Sequence, residues 1–280
     1  MKNIIVRSLS GAVYVALIVV LVLWGGDFGF PALLCVFSLI GMSEFLQITQ
    51  GGMSKNPFTS TLDLFLGLCL IFLAYFLFYI SSAAIIFYAV AMACAIIALV
   101  IVRLIMQLYS TSPNSLTRMA YTIMALVYVA MPLALTVAVY ALFGPALTLL
   151  VFVLIWLNDT GAFLVGSAIG SHRLFARLSP NKSWEGFFGG LAFCVIAAML
   201  ARSVLPGFEN ESEWFLVAMG ITVSLLATWG DLFESMLKRN VGVKDSGNIM
   251  PGHGGVLDRI DSMLFVMPGM LVLYFLSIVL

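Results

Sequence analysis

Long, continuously apolar runs recur from one end of this sequence to the other. Each run is about 20 residues long, enough for an α-helix to cross a hydrocarbon core about 30 Å thick. The runs are apolar throughout and do not alternate with polar residues, which indicates helices and excludes the strands of a membrane barrel. The chain is 62% hydrophobic, and the sequence between the runs is too short for a separate soluble domain. The pattern predicts an all-α, polytopic integral membrane protein in which residues 1–280 form a single membrane domain.

We predict about nine transmembrane helices. The N-terminus is basic and then apolar, like a signal peptide, but it lacks a clear small-residue cleavage motif, so we expect a retained first helix. Only Ser81 and Ser82 separate the third helix from the fourth. The predicted spans are approximately 5–24, 28–48, 62–80, 83–106, 120–142, 146–169, 187–205, 213–236 and 262–280.

The distribution of Lys and Arg predicts the orientation, because cytoplasmic loops of membrane proteins are enriched in these residues. With the N-terminus in the cytoplasm, Arg202 is the only one of the 13 basic residues in an outer segment. The other twelve are Lys2, Arg7, Lys55, Arg103, Arg118, Arg173, Arg177, Lys182, Lys238, Arg239, Lys244 and Arg259. The formal net charge is zero, so no global field attracts nucleic acid, and we expect no nucleic-acid partner.

Charge is concentrated in the stretch between Asp231 and Asp261. Charged residues make up 9% of the protein, yet nine of them lie in this stretch with one of the two histidines, His253. Five glycines, at 242, 247, 252, 254 and 255, accompany them, and such a backbone can bring N–H groups close to phosphate oxygens. The orientation above places the stretch in the last cytoplasmic loop. A phosphate-binding loop or a solvated linker would both fit.

Three aspartates in this stretch predict a metal site. Asp231 belongs to a polar stripe on the eighth helix, at steps of three and four residues that keep one helical face. Asp258 and Asp261 lie three apart and share a face if their segment opens the ninth helix. Carboxylates combined with substrate phosphates suit Mg²⁺. The alternatives are a helix end emerging into water for Asp231 and capping of a helix start for the other two. The stripe consists of Ser224, Thr228, Asp231, Ser235 and Lys238.

The sixth span and the loop after it contain further polar positions. Asn158 and Asp159 interrupt an apolar run, and Asp159 would face the same cavity or form a buried polar contact between helices. Ala162, Gly166 and Gly170 are spaced by four, which allows another helix to pack closely. Lys182 and Ser183 stand where the seventh helix begins, which is a favourable place for an anion.

Several other polar residues have an unremarkable expected role. We expect Glu44 to be a structural contact or a minor pocket residue, Glu185 a first-turn acid, and His172 a surface residue. The four cysteines, Cys35, Cys69, Cys94 and Cys194, lie inside apolar runs without a CxxC pair, which favours packing roles.

The segment SMLKRNVGVKDSGNIMPGHGGVLDRID, Ser235 to Asp261, resembles the signature of the CDP-diacylglycerol synthases, also called phosphatidate cytidylyltransferases. The family pattern is close to S-x-apolar-K-R, four residues, K-D, a small residue, then P-x-H-G-G-apolar-x-D-R-apolar-D, and every charged position is met. Met250 is a conservative departure. NDTGAF and SPNKSWEG also look like family motifs, the second differing from the common SPKKTWEG at Asn181 and Ser183. The motifs cover residues 155–262, so 1–150 would be an apolar helical scaffold and 151–280 the catalytic part.

The resemblance implies a reaction in which CTP and phosphatidate give CDP-diacylglycerol and pyrophosphate. It also implies dependence on Mg²⁺, a homodimer, contact with membrane lipids, and the bacterial inner membrane with an active site facing the cytoplasm. With the pattern above, it assigns metal binding to Asp231, Asp258 and Asp261. The expected catalytic residues are Asp231, Lys238, Arg239, Lys244, Asp245, His253, Asp258, Arg259 and Asp261. The expected substrate-binding residues are Asn158, Asp159, Lys182, Ser183, Ser235, Gly254 and Gly255.

Two other functions are compatible with parts of the pattern. A CTP-dependent lipid kinase could share a nucleotide pocket. An ion-coupled transporter could use Glu44, Asp159 and Asp231, although transporters place such acids near mid-membrane in two matching halves. Here the acids cluster towards the cytoplasmic edge, and no matched half is visible.

Overall fold

A computed structural model describes residues 2–51, 57–79, 85–205, 207–209 and 211–279. Lys55, which contributed to the predicted orientation, and Ser81 and Ser82, which separate two predicted spans, lie outside the described residues. The described part is almost entirely helical. Its helices are α1 (Lys2–Trp24), α2 (Gly26–Gln50), α3 (Pro57–Tyr79), α4 (Ile85–Leu108), α5 (Ser115–Ala125), α6 (Met131–Ile169), α7 (Trp184–Val204), α8 (Glu213–Asn240) and α9 (Leu257–Val279).

Among the described residues, seven helical stretches have the length and apolar composition needed to cross a membrane. Ser8–Trp24 of α1 is a shorter apolar helix. One stretch, Ser115–Ile169, is 55 residues long because α5 and α6 join through a π-helical turn at Leu126–Ala130. It contains two predicted spans and breaks at Gly144 (φ 74°, ψ 176°), a backbone conformation that favours glycine. These observations confirm the polytopic helical membrane class.

A small β-hairpin, which the all-α prediction did not include, lies between α6 and α7. Its strands β1 (Arg173–Phe175) and β2 (Ser179–Ser183) pair antiparallel, with Arg173 opposite Ser183 and Phe175 opposite Ser179. The strands are three and five residues long and carry no sustained alternation of apolar and polar residues. Strands are predicted from such alternation, so the sequence contains no clear signal for this hairpin.

The chain divides into two compact units. The first comprises Met1–Leu142 and Asp245–Arg259, and the second comprises Phe143–Lys244 and Ile260–Leu280. Asp245–Arg259, hereafter the signature segment, belongs to the unit of the N-terminal helices and not to that of its sequence neighbours.

Each unit has its own apolar core. In the first, Phe30, Phe45 and Leu133 are completely buried, and the Phe30 ring lies 4.9 Å from that of Tyr140. In the second, α7 packs along α8, and Leu216 and Met219 are completely buried. A separate cluster of Leu174, Phe187 and Leu232 joins the β-hairpin to α7 and α8. This cluster fixes the hairpin beside the polar residues of α8.

Candidate active site

The second unit contains a cavity of about 340 Å³ that is lined by both polar and apolar side chains. A volume of this size is within the range of small-molecule sites. The lining comes from α6, the β-hairpin, the start of α7, and α8. The lining residues are Asn158, Asp159, Ala162, Phe163, Leu174, Ser179, Asn181, Lys182, Ser183, Gly186, Phe187, Thr228 and Asp231.

An ion pair stands at this cavity between the hairpin and α8. Lys182 Nζ lies 2.5 Å from Asp231 Oδ2, and the two side chains are 28% and 34% exposed. The Ser235 hydroxyl, one turn further along α8, donates to Asp231 Oδ1 at 3.3 Å. The sequence assigned these residues to one site, and the structure brings all three together.

Glycines bring α6 and α7 into close contact beside the cavity. A Cβ placed on Gly186 would lie 2.8 Å from the Ala162 carbonyl oxygen, and one on Gly166 would lie 3.3 Å from Ser183 Oγ. The small-residue packing predicted for the sixth span is therefore confirmed. Ser183 caps α7, because its hydroxyl oxygen accepts a hydrogen bond from Gly186 N at 3.1 Å.

The polar stripe on α8 serves more than one purpose. Thr228 and Asp231 line the cavity, whereas the buried Ser224 donates to Asn158 Oδ1 at 2.7 Å and ties α8 to α6. Asn158 is itself only 2% exposed. Asn158 is therefore a buried polar contact between the two helices that also borders the cavity.

Asp261 of α9 lies close to Asp159 and Asp231, the two acids that line the cavity. α8 and α9 approach each other at Gly230, where a Cβ would lie 2.8 Å from the Asp261 carbonyl oxygen. The Asp261 carboxyl is buried and interacts electrostatically with Asp231 and Asp159. The second unit therefore places three carboxyl groups, two of them predicted metal ligands, in one neighbourhood.

Lys238 has a partner that the sequence analysis did not consider. Its Nζ lies 2.5 Å from Glu234 Oε2, one turn earlier on α8, and the Glu234 side chain is 1% exposed. Arg239 donates through Nη1 to the Val243 carbonyl oxygen at 3.1 Å. The i,i+4 spacing of Glu234 and Lys238 was the available sequence signal for this pair.

Glu185 holds the base of the β-hairpin. Its carboxylate accepts hydrogen bonds from the backbone N–H groups of Ser171 and His172, and its Oε1 lies 2.6 Å from His172 Nδ1. The His172 side chain is 81% exposed, which confirms its prediction as a surface residue. Glu185 is a first-turn acid of α7, as the sequence predicted, and it also binds the backbone at the base of the hairpin.

The signature segment, in the first unit, is organised around carboxylates. Asp258 Oδ2 accepts hydrogen bonds from Ser246 N at 2.9 Å and Gly255 N at 2.8 Å, and it lies 3.0 Å from Ser246 Oγ, whose one proton it shares with Glu44 Oε2. Gly254 has a φ of +84°, and a Cβ there would lie 2.4 Å from Asp258 Oδ2. The capping alternative for Asp258 is therefore present in the structure, and glycine is needed at 254 by both backbone conformation and space.

The remaining predicted residues of the signature segment differ in exposure. Lys244, which precedes it, and Asp245 and Arg259 within it are exposed, whereas His253 is half-buried with its Nδ1 2.6 Å from Ser10 Oγ. Glu44 of α2 is buried, and its carboxylate accepts hydrogen bonds from this segment. The structure thus gives Glu44 the polar contact that the sequence left open.

The predicted metal ligands fall in different units. Asp258 belongs to the first unit, and Asp231 and Asp261 belong to the second. Over its described residues, neither unit contains a group of three or more His, Cys, Asp or Glu side chains arranged to hold a metal ion. A three-aspartate site stays a prediction.

Comparison with known proteins gives a match over nearly the whole chain. The sequence model of the cytidylyltransferase family matches residues 5–277. A Staphylococcus aureus protein named phosphatidate cytidylyltransferase is 50% identical over 117 residues, which cover 42% of this chain and 44% of the relative. Proteins of the same name from Staphylococcus saprophyticus and Staphylococcus epidermidis are 48% and 45% identical over 120 residues, covering 43% of this chain and 45% of each relative. These matches span less than half the length of the curated relatives.

Proposed function

The chain belongs to the cytidylyltransferase family, and on that premise we propose that it transfers CMP from CTP to phosphatidate. The products are CDP-diacylglycerol, used in phospholipid synthesis, and pyrophosphate. The names of the bacterial relatives support this substrate pair. The observation that carries the proposal is the cavity of the second unit, where the Lys182–Asp231 ion pair stands beside apolar side chains such as Phe163 and Phe187. A mixed lining of this kind suits a phosphate group attached to a lipid.

The reaction needs charge neutralisation more than it needs a base. A phosphate oxygen of phosphatidate attacks the α-phosphorus of CTP, and the bond to the β-phosphate oxygen breaks, so pyrophosphate leaves with the electron pair. The lipid phosphate is already ionised at neutral pH and is a competent nucleophile. Both substrates are anionic, and further negative charge develops on the departing pyrophosphate. Preorganised cationic groups are the main protein contribution to such a step.

We assign the cationic roles to lysine and arginine residues of the family motifs. Lys182, held by Asp231 in the described structure, can transfer its contact to a phosphate oxygen when substrate enters the cavity. Lys244 and Arg259 are exposed and can reach phosphate groups without breaking a packed contact. Positioning by these groups would align the attacking oxygen with the leaving pyrophosphate.

We propose Mg²⁺ as the cofactor. Asp231 lines a cavity large enough for substrate phosphates, and Asp261 is a second hard oxygen donor on α9, where its backbone lies against Gly230 of α8, so the two carboxylates fit this ion. When bound, Mg²⁺ would neutralise negative charge on the phosphate oxygens. Asp258 remains the proposed third ligand, in addition to its contacts with Ser246 and Gly255.

The membrane arrangement is also part of the proposal. We propose nine spans with a cytoplasmic N-terminus, in the inner membrane of a bacterium, with the site facing the cytoplasm where CTP is found. The break at Gly144 supports two crossings within Ser115–Ile169, since a crossing needs about 20 residues and this stretch has 55. We further propose a homodimer in contact with membrane lipids, as the family resemblance implies.

The test is identification of the lipid product. Purified protein is incubated with CTP, Mg²⁺ and phosphatidate in detergent or lipid, and the lipid fraction is analysed by mass spectrometry. The proposal predicts a phosphatidate that has gained a cytidine monophosphate group. A lipid that has gained only a phosphoryl group, with release of CDP, would identify a lipid kinase instead.

A further inference from the structure

Glu44 is a buried acid on α2 whose carboxylate meets three hydrogen-bond donors. Its Oε1 accepts from Val256 N at 3.0 Å, and its Oε2 accepts from Leu257 N at 2.8 Å. Oε2 also lies 3.1 Å from Ser246 Oγ, whose one proton is shared with Asp258 Oδ2 at 3.0 Å. Glu44 is 3% exposed. All three donors come from the signature segment, about 200 residues further along the chain. Glu44 therefore connects an N-terminal helix to the part of the sequence that carries the family signature.

The chemistry of this contact matches a carboxylate closely. An ionised carboxyl group is an acceptor only, and here every neighbouring hydrogen-bonding group is a donor. Two of the donors are backbone N–H groups at the start of α9, where negative charge is also favoured by the helix dipole. Buried donors without a partner are costly, so the segment and Glu44 stabilise each other's placement.

Two glycines of the segment leave room for the Glu44 side chain. A Cβ on Gly247 would lie 2.5 Å from Glu44 Oε1, and a Cβ on Gly255 would lie 2.4 Å from Glu44 Oε2. Distances this short mean that any larger residue would push the carboxylate away. The glycine pattern of the segment and the acid on α2 are therefore complementary in shape as well as in charge.

Helix α1 holds the same segment at other points. The Ser10 hydroxyl donates to the Pro251 carbonyl oxygen at 3.1 Å and lies 2.6 Å from His253 Nδ1. The Tyr14 hydroxyl donates to the Arg259 carbonyl oxygen at 2.9 Å. Among these anchors Glu44 is the buried, charge-bearing one, so its loss should loosen the segment most.

We propose that Glu44 is a positioning residue for CMP transfer. Its carboxylate fixes Ser246, Val256 and Leu257, and through them it fixes the start of α9 that carries Asp258 and Arg259. Glu44 acts on the substrates only through these residues. The inference rests on the proposed function and deepens it, because it assigns a role to the N-terminal helices beyond that of an apolar scaffold.

Two substitutions separate positioning by charge from simple filling of space. Glu44→Gln keeps the size of the side chain but has a single acceptor oxygen, so one of the two backbone donors, Val256 N or Leu257 N, must face the Gln amide NH₂ group. Glu44→Asp keeps both oxygens and the charge but is shorter by one methylene. The proposal predicts that Asp is tolerated better than Gln. A space-filling role predicts the reverse order.

The first measurement is amide hydrogen exchange of the 246–257 peptide in the full-length protein without substrates. In Glu44→Gln we expect exchange about tenfold faster, because a buried hydrogen bond to a charged acceptor is lost. The second measurement is kcat/KM for CTP, which we expect to fall roughly ten- to a hundredfold in the same variant through misplacement of the segment. Glu44→Asp should lie between Glu44→Gln and wild type in both measurements.

Asp63→Asn is the matched control. Asp63 is also 3% exposed and lies in the first unit, where its carboxylate pairs with Arg103 Nε at 2.7 Å and accepts from the Thr122 hydroxyl at 3.0 Å. Its loss should lower the thermal midpoint of unfolding without changing exchange of the 246–257 peptide or kcat/KM for CTP. The comparison separates general destabilisation from release of the signature segment.

Each outcome bears on the proposal. Faster exchange with a fall in kcat/KM in Glu44→Gln, and a milder effect in Glu44→Asp, supports it. Unchanged exchange in Glu44→Gln, unchanged kcat/KM despite faster exchange, or better function in Glu44→Gln than in Glu44→Asp overturns it. If wild type transfers no CMP, the proposed function fails, and the exchange result alone then supports or overturns the fixing of the segment by Glu44.

Discussion

Asp258 and Asp231 show why residue type and spacing predicted a site better than they predicted its contacts. Both were expected to bind metal because they are acids in a basic, glycine-rich stretch. In the structure Asp258 Oδ2 accepts hydrogen bonds from Ser246 N and Gly255 N of the signature segment, and Asp231 pairs with Lys182 from the β-hairpin; metal binding by either stays a prediction. Lys182 lies almost 50 residues before Asp231 in the sequence, so no periodicity could predict this pair. The partners of Glu44 could not be predicted for the same reason, since its donors lie about 200 residues further along the chain.

Replacing the three aspartates tests whether they act together. We predict that Asp231→Asn, Asp258→Asn and Asp261→Asn each reduce kcat by roughly a hundredfold or more, because a charge that faces phosphate or metal is lost. Residues acting as a unit are non-additive, so a double variant should cost little more than its worse single variant. Steady-state assays over a range of Mg²⁺ concentrations provide the measurement.

The acid Glu213 supplies the control for the aspartate series. It lies at the start of α8, pairs with Arg202, and has a side chain that is 69% exposed, so Glu213→Gln should leave kcat unchanged. Additive losses would show that the three aspartates do not act as one site. A near-normal kcat in Asp258→Asn would assign Asp258 to capping of α9 alone.

At the scale of the elements, apolar length and small-residue spacing gave reliable predictions. The break between the fifth and sixth spans and the close packing at Gly166 both appear in the structure. Each depends on local sequence, which is what a pattern can record. The β-hairpin was not predicted, because its short strands are held by Glu185 and by the Leu174–Phe187–Leu232 cluster. Such tertiary contacts override weak local preferences.

The crossing of α6 and α7 beside the cavity can be tested by adding a single methyl group. Gly186→Ala would place a Cβ 2.8 Å from the Ala162 carbonyl oxygen, and backbone at that position cannot move cheaply. We predict destabilisation of about 1–3 kcal/mol, as expected for overpacking, together with a higher KM for CTP. Thermal unfolding in detergent and steady-state kinetics measure the two effects.

Gly29→Ala is the matched substitution for this crossing. Gly29 is also helical, and the nearest atom to a Cβ there is the flexible Leu21 Cδ2 at 3.4 Å. This variant should be neutral or slightly stabilising, because alanine favours helix. Equal effects at 186 and 29 would remove the argument that close packing shapes the cavity.

At the scale of the whole molecule, hydropathy alone established the class of protein. The described helices repeat the predicted spans closely, although α8 continues to Asn240 and α9 begins at Leu257. These extensions place all of the polar stripe on α8 and both later aspartates on α9. The sequence could not predict that Asp245–Arg259 belongs to the unit of the N-terminal helices. That membership depends on hydrogen bonds between distant positions, which hydropathy does not record.

The proposed orientation can be tested by labelling single cysteines in a variant without the four native ones. A cysteine at Glu211, in the 207–212 loop, should react with an impermeant maleimide applied to the outside of intact cells. A cysteine at Asn248, which is exposed, should react only after the membrane is opened. Asn248 is preferable to Gly247, because a side chain at 247 would collide with Glu44. Reaction of both positions from the same side would contradict the nine-span arrangement.

Transfer of label from CTP to lipid tests directly whether the protein transfers CMP. Purified protein is incubated with Mg²⁺, phosphatidate and CTP labelled with ³²P at either the α- or the γ-phosphate, and the lipid fraction is counted. CMP transfer predicts label in lipid from α-labelled CTP only, with one pyrophosphate released for each lipid labelled, and little of either with Asp261→Asn. Label in lipid from γ-labelled CTP, or from neither form, would contradict it.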